Sequence, residues 1–443
     1  MYPDEHSRSH QLYERALSVM PGGNSRHTAY FAPYPIYIER GEGCRVWDVD
    51  GVERIDCINN YSALIHGHCH PAITEALREQ AGKLLSISLP TESEVRLAEL
   101  VTERLPAVDL IRFANSGTEG VMFALKAARA YTGRNKIAKI EGAYHGSYDS
   151  VEVSLYPTPD LWGPDDNPAS VAPAGGHDGA SANTIVLKAN DVEGGRAILR
   201  RHAADLAGVI VDPLIKNLGY LQATPEFLKM LREETSAAGA LLIFDEVYSF
   251  RLGYHGAQGE MGVMPDLTAM GKVIGGGMPI GAVGGTADIM DALFDPRGGS
   301  KMSHTGTFNA NPMSMVAGVA ALELYDRAAH DRLAGLGQRL RDGLKDILTR
   351  TGRPGQVTGA ASMIGLFHTD QPMGDWRTTM NMMMKEPDVM QTGEAFFREM
   401  LNQGVYMASQ GFFVLSTAMS EHEIDFVLEK AELVLRKMSA EAA

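Results

Sequence analysis

Four short stretches of this chain of 443 residues carry side chains that could do chemistry together. In Met270-Gly271-Lys272-Val273-Ile274-Gly275-Gly276-Gly277-Met278-Pro279, a lysine sits between glycines in apolar surroundings and is poorly explained as a solvated surface charge. Burial depresses a lysine's pKa and frees the amine to form an imine with a carbonyl. The glycine triplet reads as backbone that can approach a bound ligand closely. The order is wrong for a phosphate loop of the P-loop type, because Lys272 precedes the glycines and no Ser or Thr follows in the required place.

Leu242-Ile243-Phe244-Asp245-Glu246-Val247 is an apolar run ending in two acids. It reads as a buried strand with carboxylates at its C-terminal end, where open α/β sheets hold ligands, although a single acid there is as readily a helix cap. Asn115-Ser116-Gly117-Thr118-Glu119-Gly120 lies between a strand pattern and a helix pattern. Free amide groups at a helix N-terminus attract phosphate, and a cap from Ser116 or Thr118 is compatible with that. Gly142-Ala143-Tyr144-His145-Gly146 follows the next strand pattern, and Tyr144 could lie flat on a planar ring. A phosphate cradle, a stacking aromatic, an acid for a pyridinium nitrogen and an imine-forming lysine are the parts that a pyridoxal 5′-phosphate (PLP) site requires.

The elements that must hold these parts alternate along the chain. Strand patterns at 110–114, 136–140, 184–187, 206–211 and 241–244 are separated by helical patterns beginning near Thr118 and spanning 191–203 and 225–238. Such alternation implies a mostly parallel sheet with helices on both faces. Before it, residues 36–58 alternate around Asp50-Gly51, the signature of a small antiparallel sheet. Residues 156–182, rich in Pro, Gly, Asp and Ala, read as a long surface excursion. Strands at 363–368 and 412–415 with helices at 391–403 and 421–438 suggest a second, α+β unit. The division expected is 1–70 as an N-terminal segment packing with the C-terminal unit, 71–328 as the large domain and 329–443 as the small one.

Composition narrows the function. A net charge of −15 argues against a nucleic-acid or anionic-membrane partner, since both need a basic face. Cys44, Cys57 and Cys69 cannot close a disulfide framework and fit a reducing compartment. The N-terminus lacks a basic head followed by an apolar run, and no stretch approaches the about 20 apolar residues of a membrane span, so a cytoplasmic enzyme is expected. His66-Gly67-His68-Cys69-His70 has metal-like spacing, but Gly67 and Pro71 suggest a turn, and no metal is expected. Methionines at 380 and 382–384 read as adaptable packing.

Taken in order, the Asn115–Glu119, Gly142–Gly146, Ile243–Val247 and Lys272 motifs and Gly306-Thr307-Phe308-Asn309-Ala310-Asn311-Pro312 resemble the class III (omega) aminotransferases over nearly the whole chain. The resemblance implies PLP fold-type I, an α/β fold with a smaller α+β domain, and PLP as cofactor. It implies that Lys272 bonds the cofactor and shuttles a proton, and that Asp245 pairs with the pyridine nitrogen. Val247 and Tyr144 would cover the two ring faces, Gly117 and Thr118 would donate to the phosphate, and Asn217 would lie near the phenolic oxygen. Thr307 would reach the phosphate of a neighbouring subunit, making the active unit a homodimer. Pro21-Gly22-Gly23-Asn24-Ser25-Arg26 is similar to two subgroups, glutamate-1-semialdehyde aminomutase and the β-amino-acid (β-phenylalanine) aminotransferases. In the latter, an arginine at the position of Arg26 binds the substrate carboxylate, and an aromatic at Tyr61 borders the pocket. The pattern departs at Asp212, where most relatives have Glu, and at Lys216, where many have a small residue. It departs again at Gln410, where the β-amino-acid enzymes carry an arginine for 2-oxoglutarate. The implied reaction is ping-pong transfer from a β-amino acid or related amine to an oxo acid. An aminomutase or racemase is the first alternative, and a non-catalytic PLP-binding relative the second.

Overall fold

The computed structural model describes residues 1–442, and among these the main sheet has seven strands. Their spatial order is Leu110–Ala114, Gly281–Gly285, Leu267–Gly271, Leu241–Asp245, Leu206–Val211, Lys136–Ile140 and Thr184–Leu187. Gly281–Gly285 runs antiparallel to both neighbours, and the other pairings are parallel. Strands such as Leu-Ala-Gly-Val-Ile-Val at Leu206–Val211 are buried along their whole length, as a sheet covered on both faces requires. This is the mixed α/β architecture of PLP fold-type I.

Helix Gly117–Thr132 packs on Leu267–Gly271 and Gly281–Gly285. The Ser116 hydroxyl caps it by accepting from the Glu119 N–H at 3.2 Å, a contact typically worth about 1 kcal/mol. A Cβ on Gly281 would fall 1.8 Å from the Ser116 carbonyl oxygen, so glycine there lets the helix N-terminus settle directly on the sheet. The two strands flanking Lys272 carry no sequence signal. Leu-Thr-Ala-Met-Gly and Gly-Ala-Val-Gly-Gly hold few β-branched residues, and burial between neighbours makes them strands.

Near the N-terminus, Ile38–Glu42, Arg45–Asp48 and Glu53–Asp56 form an antiparallel sheet, joined in parallel by Val405–Tyr406. Gln356–Ala360, Met363–Phe367 and Phe412–Val414 make another antiparallel sheet. The methionine-rich stretch is a helix, Trp376–Lys385, capped by Asp375. It fastens the 156–182 excursion. Trp376 Nε1 donates to the Pro157 carbonyl at 2.8 Å. Arg377 forms a buried two-pronged pair with Glu141 at 2.8 and 3.1 Å and also reaches Asp165 at 2.8 Å. Among the described residues, no helix is long and apolar enough to cross a membrane.

Candidate active site

Parallel strands leave their C-terminal ends along one sheet edge, and the four motifs follow four such ends. Asn115–Thr118 comes after Leu110–Ala114, Gly142–Gly146 after Lys136–Ile140, Asp245 closes Leu241–Asp245, and Lys272 follows Leu267–Gly271. Asp212 stands just beyond the end of Leu206–Val211.

Lys272 opens a short turn with φ +50°, the left-handed region that a lysine adopts only when its surroundings enforce it. Its side chain is half-buried, and Nζ lies 4.8 Å from the centroid of the Tyr248 ring. Burial pulls its pKa down, and the nearby Asp245 and Asp212 carboxylates pull it partly back. A depressed lysine is not a site by itself. Fully buried Lys139 is pushed down to about 7, yet it is spent on the Val153 carbonyl at 2.9 Å and no substrate could reach it. Lys272 differs in its place at the ligand edge and in having two acids as neighbours.

Asp245 is almost fully buried. One carboxylate oxygen lies 2.7 Å from His145 Nδ1, and the other accepts from the Val247 N–H at 3.0 Å. A carboxylate only accepts, so His145 carries its proton on Nδ1, and Nε2 is left buried and unpartnered. Both Asp245 oxygens keep accepting capacity for an N–H from the pocket. Asp212 accepts from the Leu214 N–H at 3.0 Å, and burial together with the Asp245 charge pushes its carboxyl well above the usual range.

The cradle is tightly fitted. A Cβ on Gly117 would stand 2.6 Å from Val247 Cγ1, so only glycine lets this backbone lie against that side chain. Thr118 does not cap the helix; Ser116 does. The Thr118 hydroxyl instead accepts from the Ser147 N–H at 3.3 Å, tying the cradle to the loop of Tyr144. Tyr144 is 45% exposed, with its ring free to cover a ligand. The Asn115 amide donates to Asn309 Oδ1 at 2.9 Å, which anchors the loop carrying Thr307. Thr307 and Phe308 are exposed on this chain.

A second group of residues forms an aromatic wall. The Tyr220 and Tyr248 hydroxyls are 2.9 Å apart, and Phe412 meets Tyr220 edge-on at 4.7 Å. Burial raises the pKa of both tyrosines. Lys216 Nζ lies 5.4 Å from the Tyr61 ring and 5.1 Å from the Phe412 ring. Four consecutive residues, Asn59 to Ser62, have positive φ and present Tyr61. Its hydroxyl donates to the Thr28 carbonyl at 3.1 Å, and Arg26 donates to Asn60 Oδ1 at 2.8 Å. Asn217 donates to the Tyr156 hydroxyl at 3.4 Å.

Lys272, Asp245, Val247, Gly117 and Thr118 therefore share one edge with the Tyr144 loop, Arg26 and Tyr61 sit together, and Thr307 is displayed outward. One expectation is overturned. The glycine triplet does not clear space for a ligand: a Cβ on Gly276 would fall 2.2 Å from the Ala317 carbonyl oxygen, and one on Gly275 2.4 Å from Ile280 Cγ2. Gly276 seats the lysine turn against helix Pro312–Leu324, Gly275 packs on Ile280, and Gly277 meets the Leu64 side chain. His145, Tyr248 and Tyr220 were missed. His145 was visible within its motif, and Tyr248 lies three residues beyond Asp245, but nothing local marks Tyr220. His66 is engaged by Thr417 and the Ala321 carbonyl, and His68 by Asp56.

Residues 28–435 match the family described as aminotransferase class-III. The chain belongs to the class III aminotransferases. A glutamate-1-semialdehyde 2,1-aminomutase 2 of Geobacillus kaustophilus (strain HTA426) is 39% identical over 98% of this chain and 99% of its own length. The omega-transaminase structure from Sphaerobacter thermophilus is 45% identical, superposes with a TM-score of 0.94 and shares 98% of each chain. The β-phenylalanine aminotransferase from Variovorax paradoxus is 35% identical, with a TM-score of 0.86 over 98% of this chain and 94% of that one.

Class III aminotransferases use PLP, and the residues of this class III aminotransferase fit it. The cradle at Gly117, the buried Asp245 carboxylate, the half-buried Lys272 amine and the free Tyr144 ring match its phosphate, ring nitrogen, aldehyde and flat face in kind. When bound, PLP supplies an aldehyde for amines and a ring that withdraws electrons from the substrate carbon.

Proposed function

We propose that this class III aminotransferase moves an amino group from a β-amino acid, or a related amine, to an oxo acid in two half-reactions through Lys272. One observation carries the reading: a half-buried amine with a depressed pKa, on a strained turn at the ligand edge, facing Asp245 and Asp212. Likeness to an omega-transaminase and to a β-phenylalanine aminotransferase supports this donor class.

In this reading Lys272 would hold the cofactor through Nζ and, once freed, would take the proton from the substrate's amine-bearing carbon. Asp245 would hold a proton on the ring nitrogen, and His145 holds Asp245. Tyr144 and Val247 would cover the two faces, Gly117 and Thr118 would donate to the phosphate, and Asn217 would lie toward the phenolic oxygen. Arg26 meets a donor carboxylate at the mouth beside Tyr61. The exposed Thr307 and Phe308 support a homodimer in which Thr307 serves the neighbouring site. The free thiols of Cys44, Cys57 and Cys69 support a cytoplasmic setting.

A second reading, an aminomutase, draws support from the Geobacillus kaustophilus relative. One experiment separates them. Holoenzyme is mixed with a single amine donor and no added acceptor, over a panel of β-phenylalanine, 1-phenylethylamine, 4-aminobutyrate and glutamate-1-semialdehyde. A transferase converts one equivalent per site and stops until an oxo acid is added. Continued turnover without an acceptor contradicts the transferase reading and indicates a mutase or racemase. A protein that binds PLP but converts no donor is the non-catalytic relative.

A further inference from the structure

Among the described residues, Lys216 has no counter-ion. Its ammonium is half-buried between the Tyr61 and Phe412 rings, and among the described residues it makes no ion pair and no hydrogen bond. Ring faces attract a cation, but they replace little of the hydration that an ammonium loses on burial. The side chain also lies close enough to Lys272 to feel its charge; burial first, and that charge second, push its pKa down to about 8. Until Lys272 bonds the cofactor, two ammonium groups in one pocket repel each other. An anion arriving from outside would relieve both the missing partner and the repulsion.

The surroundings state what kind of anion. Tyr61 and Phe412 flank the ammonium, and Tyr220 and Tyr248 pack in the same cluster behind them, giving an aromatic wall. An organic acid with an aryl or alkyl body fits this wall better than a hydrated inorganic ion. Arg26 offers a carboxylate an exposed first contact rather than a buried seat. It is exposed at the mouth and bonded to Asn60, whereas Lys216 lies deeper and free. The turn Lys216–Leu218 that carries it ends at Gly219, whose carbonyl accepts from the Thr358 hydroxyl at 2.6 Å, so its base is fixed to the neighbouring antiparallel sheet.

We propose that Lys216 is a specificity-determining residue that seats the carboxylate of the substrate, on the amino donor, the oxo-acid acceptor or both. The proposal rests on the aminotransferase reading for its substrates, but Lys216 can be tested without turnover. Calorimetry on the holoenzyme measures binding of 3-phenylpropanoate, an unreactive acid, against its neutral amide. Lys216→Met, which keeps length and loses charge, and Lys216→Gln should each weaken the acid relative to the amide by about tenfold or more, as loss of a charge-assisted contact does. Lys216→Arg should restore most of that preference. An acid that binds parent and variants alike, or binds neither, overturns the proposal, as does equal loss of acid and amide.

The two half-reactions locate the carboxylate. In the donor arm, β-phenylalanine is compared with 1-phenylethylamine; in the acceptor arm, pyruvate is compared with benzaldehyde. Lys216→Met should reduce the carboxylate preference in kcat/KM, mainly through KM, in at least one arm. The arm that responds names the source. Weakened binding with no change of preference in either arm overturns the assignment to substrate. If the parent enzyme transfers nothing from any donor, the functional reading falls, and the calorimetry alone still decides whether Lys216 seats an anion.

Discussion

The cofactor end and the aromatic wall of this pocket are built in different ways. At the cofactor end each side chain sits within a few residues of a strand's C-terminus, and its neighbours are fixed by the sheet: Lys272, Asp245 and the Gly117 cradle all hang from register. The wall draws Tyr61, Lys216 and Tyr220 from turns, Tyr248 from the short helix Glu246–Ser249 and Phe412 from the strand Phe412–Val414, scattered over most of the chain. The cofactor end is thus set by topology and the wall by packing. Changes at the first should damage every reaction alike, and changes at the second should sort one donor from another.

The largest effect tests the first half of that statement. Lys272→Ala should lower transfer from every donor by at least about 10³-fold and abolish the absorbance of lysine-bound cofactor. Retained activity with any donor would break the comparison. Asp245→Asn comes next, with a loss of about 10²-fold that is the same for β-phenylalanine and 1-phenylethylamine, measured as kcat/KM. His145→Leu removes the 2.7 Å contact to Asp245 and should cost about tenfold, again without donor preference. A role confined to folding would lower thermal stability and leave the cofactor spectrum untouched, so the spectrum is recorded alongside. The smallest change is Tyr220→Phe, which breaks the hydroxyl pair with Tyr248. It should alter the ratio between the two donors by about threefold while leaving the absorbance of bound cofactor in place. An equal loss on both donors would mean that the wall belongs to the chemical machinery.

The same contrast explains what could be read from the sequence. The Asn115–Gly120, Gly142–Gly146, Phe244–Val247 and Lys272 motifs are contiguous, and a residue just past a buried strand has few places to point. The parallel sheet was legible in its Val- and Ile-rich strands, but Leu267–Gly271 and Gly281–Gly285 were not, because glycine and alanine carry no pattern. The triplet Gly275-Gly276-Gly277 misled: glycine reports close approach without saying whether ligand or protein approaches. The pairing of Tyr220 with Tyr248 has no local signal at all. Asn59-Asn60 at the start of the left-handed run is different, since asparagine tolerates positive φ better than most residues.

The central claim is that Lys272, and not the second depressed lysine nearby, bonds the cofactor. Borohydride reduction of the holoenzyme, followed by proteolysis and mass spectrometry, tests this directly. The pyridoxyl mass should lie on the peptide that contains Lys272, with Lys216 unmodified. A label on Lys216, or no label on Lys272 in a protein that holds its cofactor, would contradict the account.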